Sequence, residues 1–139
     1  TAQVLEIRVM RVECETLARN GALALTMAQP LLEEIRAWDD PLLEPILLRI
    51  VAWAHMVEGD ADQAEQVAIE CIAMCQEEGL LYEEALCEVL VGQLCANSGR
   101  DRTPHHRRAR ALLGQLGVVQ LPHLAEVAMP PSELVAAQE

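Results

Sequence analysis

Apolar residues recur along this chain at the three- and four-residue spacing of helix faces, and glycines interrupt that spacing at points that read as stops. The clearest case lies between Gly59 and Leu86. Gly59 and Asp60 close one helix and cap the next; Ala64, Val67, Ala68, Cys71, Ile72 and Cys75 form a one-sided stripe; Gly79 ends it before Tyr82 opens another helix. The unit then recurs. Moving the sequence by forty residues lays Leu42–Gly59 on Tyr82–Gly99 and pairs Ile46 with Leu86, Ile50 with Leu90, Val51 with Val91 and Ala52 with Gly92.

The pattern predicts six helices. The first covers about Ala2 to Arg19, with Val4, Ile7, Met10, Cys14, Leu17 and Ala18 as its inward stripe, and stops at Asn20-Gly21. The second covers Ala22 to Trp38 with Pro30 inside it. An interior proline removes one hydrogen bond and clashes with the preceding turn, at about 3 kcal/mol, so a kink or restart is expected there. Leu42–Glu58 and Tyr82–Ser98 are apolar around most of their circumference, as helices buried between neighbours are, whereas Ala61–Glu78 between them is apolar on one side only. After Gly99 the register slips by about five residues, which places a loop at Arg100–Thr103 and a sixth helix at Pro104–Leu116. The expected domain is 1–117, in pairs 2–38, 42–78 and 82–116. Residues 118–139, broken by Pro122, Pro130 and Pro131, read as a tail or a short capping helix opened by Ser132.

Composition fits one all-α domain. In 139 residues, 52% are apolar but none is Phe, so the core must be built from Leu, Ala, Val and Ile, side chains that let helices approach closely. The net charge of −12 is unevenly placed: residues 1–99 carry 18 acids against five Arg, while residues 100–110 carry five Arg and one Asp. Overall acidity argues against nucleic-acid binding by this segment, because such binding rests on neutralising phosphates. Cysteines 14, 71, 75, 87 and 95 fall in helical patterns without a C-x-x-C and read as reduced, buried, small apolar residues of a cytoplasmic chain. Arg49 and His55 interrupt the most hydrophobic stretch, so no membrane span is expected. A first residue of Thr suggests a piece of a longer polypeptide, trimming of an initiator Met being the other explanation.

With these marks in place the chain resembles the tetratricopeptide-like repeats. Gly59-Asp60 with Ala64 after it, Ala52 seven before the glycine and Cys71 as the later small position carry the match. Gly92, Gly99 and Ala109 resemble the same marks in the next pair once the insertion is allowed, and Gly21 and Cys14 mark a weaker first pair in which Thr26 replaces the expected alanine. The forty-residue period, EEGLLYEEAL and SGR…ARALLGQLG are similar to the repeat arrays of bacterial LuxR-type and cyclase-associated signalling ATPases. The resemblance implies a right-handed stack of about three antiparallel helix pairs, with Ala52, Gly59, Ala64, Cys71, Gly92, Gly99 and Ala109 setting the stacking. It also implies a non-catalytic sensor or scaffold segment of a cytoplasmic regulator. The alternative is a free-standing adaptor or homo-oligomerisation domain whose end helices pair with another copy.

Carried over from the same resemblance, the concave face holds Arg8, Arg11, Glu15 and Arg19 in the first pair, Arg49, Trp53 and Met56 in the second, and Gln93 and Asn97 in the third. Arginine forks recognise carboxylates, and Trp and Met give apolar anchoring, which points to a groove for an acidic protein, peptide or carboxylate ligand. The competing explanation is a solvated face with Arg11 and Glu15 paired at i,i+4. The basic cluster His105–Arg110 either docks a negative surface, such as a neighbouring domain, or is a solvated helix start. Cys71, Cys75, Cys87 and Cys95 could bring four thiolates together, but core packing explains each, so no metal or other cofactor is expected. Glu-x-x-His and G-x-S-x-G do not occur, no P-loop is present, and the pairs Glu33-Glu34, Glu77-Glu78 and Glu83-Glu84 are expected at helix ends or on outer faces, so catalysis is not expected.

Overall fold

The computed structural model of this chain describes residues 1–117, and among them there are six helices and no strand. They are α1 (Ala2–Leu17), α2 (Gly21–Trp38), α3 (Leu43–Val57), α4 (Ala61–Glu78), α5 (Leu81–Asn97) and α6 (Thr103–Gln115). Residues 118–139, including the expected capping helix at Ser132, lie outside the described part.

Aspartates start three of the six helices. Asp60 Oδ1 accepts the Gln63 amide at 3.2 Å to cap α4, Asp40 Oδ1 accepts the amides of Leu42 and Leu43 ahead of α3, and Asp101 Oδ1 accepts that of Thr103 at the head of α6. The stops are more regular still. Residues with positive φ stand at Arg19, Asp39, Gly59, Gly79 and Gly99, each twenty positions after the last, with Gly117 following. At Asn20, Asp60, Leu80 and Arg100 the amide closes the turn onto the carbonyl five residues earlier, the bond that satisfies a helix's last acceptors once the chain has turned left-handed.

Each helix packs on its successor, and α1 with α3 and α3 with α5 also touch. Burial follows a forty-residue beat. On the odd helices Leu5, Pro45 and Ala85 are buried at one register position, Val9, Arg49 and Val89 at a second, and Val12, Ala52 and Gly92 at a third. On α2 and α4, Ala24 and Ala64, Ala28 and Ala68, Leu31 and Cys71, Ile35 and Cys75 are buried alike. Helix α5 lies between α4 and α6 and is buried over most of its length.

Three expectations are corrected. The α1 stripe read as inward faces out: Val4, Ile7 and Met10 are 51%, 57% and 62% exposed, Cys14, Leu17 and Ala18 are exposed too, and Leu5, Val9, Val12 and Thr16 take the core. Helix α1 carries two apolar stripes, and the one that meets α2 and α3 includes a threonine, whose hydroxyl donates to the Val12 carbonyl at 2.9 Å and so is tolerated inside. Helix α2 does not restart at Pro30 but runs on as a single helix. Cys14 is the one exposed cysteine of the five.

Candidate interaction surface

The residues expected to form one groove fall into separate places. Arg8 pairs with Glu34 of α2, and together with Arg11, Val12, Met27, Pro30 and Leu31 it lines a hollow of about 220 Å³ between α1 and α2. Arg11 makes no ion pair among the described residues, so the i,i+4 pairing with Glu15 of the competing explanation is not formed; Glu15 instead accepts from the Asn20 side chain at 2.9 Å. Arg19 is exposed at the left-handed turn.

Arg49 and Trp53 are on a different face and are inside the protein. Arg49 is 7% exposed and its Nε donates to Glu83 Oε2 at 2.7 Å, joining α3 to α5. Burial alone would ease the proton off this guanidinium; the Glu83 charge and hydrogen bond more than reverse that and hold its pKa above the ordinary value. Trp53, 3% exposed, packs with Ala68, Leu90 and Val91, and its indole N–H is buried without a partner within the described residues. Met56 is half-buried beside it, Gln93 is buried with its amide donating to Asn97 Oδ1 at 2.8 Å, and Asn97 is exposed.

The acid pair Glu83-Glu84 stands in the first turn of α5, at a helix end as expected, but it is not solvated: Arg49 holds Glu83, and Glu84, 2% exposed, accepts from Arg108 Nη2 at 3.2 Å and Gln76 Nε2 at 3.4 Å. One turn on, Glu88 Oε2 lies 2.8 Å from His105 Nδ1. Glu84 and Glu88 form a polar seam on α5, and His105 and Arg108 of the His105–Arg110 cluster are spent on it. Gly92 lets this seam close, since a Cβ there would lie 3.2 Å from His106 Cδ2 and 3.4 Å from His105 Cβ.

Arg107 and Arg110 of the cluster face out, and His106 is half-buried. Arg102, Thr103, His106, Arg107 and Arg110 line an open pocket of about 330 Å³ at the start of α6. These three arginines make no ion pair among the described residues, whereas Arg100 just before them is fixed as a fork on Glu65, both nitrogens at 2.9 Å. Burial first, and then the positive charges of Arg102, Arg110 and His105, push the His106 pKa below its usual value. Three guanidinium groups around one pocket make a site of positive potential, suited to carboxylate or other anionic groups. The helical spacing of Arg102, His106 and Arg110, each four residues from the last, groups three of the pocket residues, but nothing in the linear cluster places Arg107 with them.

Cys71, Cys75 and Cys87 meet in one core cluster, with Cys87 Sγ 3.1 Å from Cys71 Sγ and Cys71 in turn 3.1 Å from the Pro45 carbonyl, while Cys95 packs elsewhere with Trp53. Hydrogen bonding within the trio, Cys75 to Cys71 and Cys71 to Cys87 foremost, together with burial, keeps the Cys71 and Cys87 thiols above the ordinary cysteine value. Cys71 and Cys87 pack as protonated thiols, while the hydrogen bonds from Cys71 and Cys87 draw the Cys75 thiol down from the ordinary value. Among the described residues no group of His, Cys, Asp and Glu could hold a metal ion, and no helix is long and apolar enough to cross a membrane. Compared with models of known families, with curated proteins and with solved structures, the chain matches none.

Proposed function

We propose that this chain is a non-catalytic interaction module, a right-handed stack of three antiparallel helix pairs of the tetratricopeptide-like kind, serving as a sensor or scaffold segment of a cytoplasmic bacterial regulator. The forty-residue beat of buried positions and the twenty-residue beat of left-handed stops support the repeat. If the beat is a true repeat, Leu31 should face Leu47 as Cys71 faces Cys87. A Leu31→Cys/Leu47→Cys variant then forms a disulfide under mild oxidation, and failure to cross-link sinks the repeat.

The partner in this reading is an acidic protein or peptide held at the start of α6. The observation that carries it is the pocket walled by Arg102, Arg107 and Arg110, arginines left without ion pairs among the described residues of a chain whose net charge is −12. Arginine forks match carboxylates bidentately, and the surrounding negative charge disfavours a long phosphate backbone. Titrating the protein with a synthetic Asp/Glu-rich peptide at low ionic strength should give saturable binding that Arg107→Glu/Arg110→Glu abolishes and added salt weakens. Binding that survives the double substitution, or none at low salt, refutes this surface.

A further inference from the structure

The outward stripe of α1 occupies the same register as surfaces that are covered elsewhere in the molecule. Ile7, Met10 and Cys14 are exposed. Forty residues on, Leu47, Ile50 and Ala54 of α3 are 0% exposed, in one cluster with Ala24, Ala28, Leu31 and Ile35 of α2. Forty further, Cys87, Leu90 and Leu94 of α5 are buried as well, and the 3.1 Å contact of Cys87 with Cys71 identifies α4 as what covers that register. Each odd helix except α1 therefore has the preceding even helix laid over these three positions.

From this register we infer that the Ile7–Met10–Cys14 face of α1 docks a further helix pair of the same kind. Its second helix would lie on α1 as α2 lies on α3 and α4 on α5. The chemistry of the occupant follows from the two helices that already fill the role. It is an amphipathic helix with small or aliphatic residues at i, i+4, i+7 and i+11, the pattern of Ala24, Ala28, Leu31 and Ile35 and of Ala64, Ala68, Cys71 and Cys75. Three large apolar side chains at least half exposed on one helix, Val4, Ile7 and Met10, form the kind of patch that marks an interaction site. Among the described residues the other end does not supply a match, because a second copy arriving head to tail would set this apolar stripe against Arg102, His106 and Arg110. The inference rests on the repeat proposed above, and the cross-link of Leu31→Cys/Leu47→Cys tests that repeat separately.

The test uses Cys14, the single exposed thiol. In the chain as it stands Cys14 should react freely with a thiol reagent, independently of protein concentration. A second protein carries a copy of residues 41–80 fused directly ahead of Thr1, which keeps the forty-residue register. In that copy Cys71→Leu and Cys75→Ile introduce what α2 has at the same positions. The fused pair should slow labelling of Cys14 by about tenfold or more, a degree of protection that a packed interface gives and a frayed one does not. Met10→Glu in the fusion should return the rate to that of the parent. Labelling as fast in the fusion as in the parent overturns the inference, as does protection that Met10→Glu leaves intact. Concentration-dependent protection in the unfused chain also overturns it, since the occupant is then a second copy. A successful Leu31–Leu47 cross-link alongside unprotected Cys14 would refute the docking and leave the repeat standing.

Discussion

Helix α5 is held in two ways, and the contrast separates what makes this fold stable from what makes it responsive. Toward α3 and α4 the contact is apolar and small-grained: Cys87 on Cys71, Leu90 and Val91 against Trp53 and Ala68, with one charged pair, Arg49–Glu83, sealed inside. Toward α6 it is a seam of acids met by His105 and Arg108, closed over Gly92, with the remaining cations of the cluster left facing outward. The first side follows the forty-residue beat. The second coincides with the insertion that breaks it: Ala64 follows Gly59 by five residues, whereas Ala109 follows Gly99 by ten, and the extra length carries most of the basic cluster.

Breaking the sealed pair should have the largest effect. Glu83→Ala leaves Arg49 buried without its partner and is expected to cost about 3–5 kcal/mol in urea unfolding. Because Val9 and Val89 fill the positions equivalent to Arg49, Arg49→Leu added to Glu83→Ala should recover most of that loss. A double variant as unstable as Glu83→Ala alone would show that the charges are not what the site depends on.

On the α6 side the effects should be smaller and sensitive to the medium. Arg108→Ala removes a half-exposed partner from buried Glu84, for which about 1–2 kcal/mol is expected after allowance for solvent screening. The loss should shrink at high salt, in contrast to the Glu83 variant. Last comes pH. The folded-state pKa of His106 is lowered by burial, then by Arg102, Arg110 and His105, so the unfolded chain takes up the proton more readily. Stability from this term is fully present above the unfolded value of about 6.5 and declines as pH falls through it. His55, whose pKa burial also lowers against the opposing pull of Asp60, acts with the same sign. His106→Gln should therefore flatten, without abolishing, the loss of stability between neutral and mildly acidic pH, and an unchanged slope would place the titration elsewhere.

The helices were legible because their stops are chemical. Gly59 with Asp60 and Gly79 fix α4 at Ala61–Glu78, where the pattern places it, and the other boundaries differ by a residue or two. The inward face of α1 was not legible from its own periodicity, since two apolar stripes share that helix and only the neighbours α2 and α3 choose between them. The forty-residue shift does not choose either, because it aligns Leu5, Val9 and Val12 with Pro45, Arg49 and Ala52, and Ile7, Met10 and Cys14 with Leu47, Ile50 and Ala54, α3 residues that are all buried. The surface chemistry was half readable. A basic cluster is plain in the sequence, but its division into cations that bind α5 and cations that face out depends on Glu84 and Glu88, whose side chains are 17 or more residues away along the chain. The fate of Arg49 likewise depends on a partner 34 residues distant, which no local pattern reveals.

One consequence of the packing order concerns how the chain reaches this state. The substantial contacts join each helix only to its neighbour or its next neighbour but one. No part of the fold has to wait for a distant segment, so the loops closed during folding are short and their entropic cost is low. Such a topology favours rapid folding that starts from any adjacent pair of helices and spreads outward. It also makes α1, with one face uncovered, the helix from which unravelling is expected to begin.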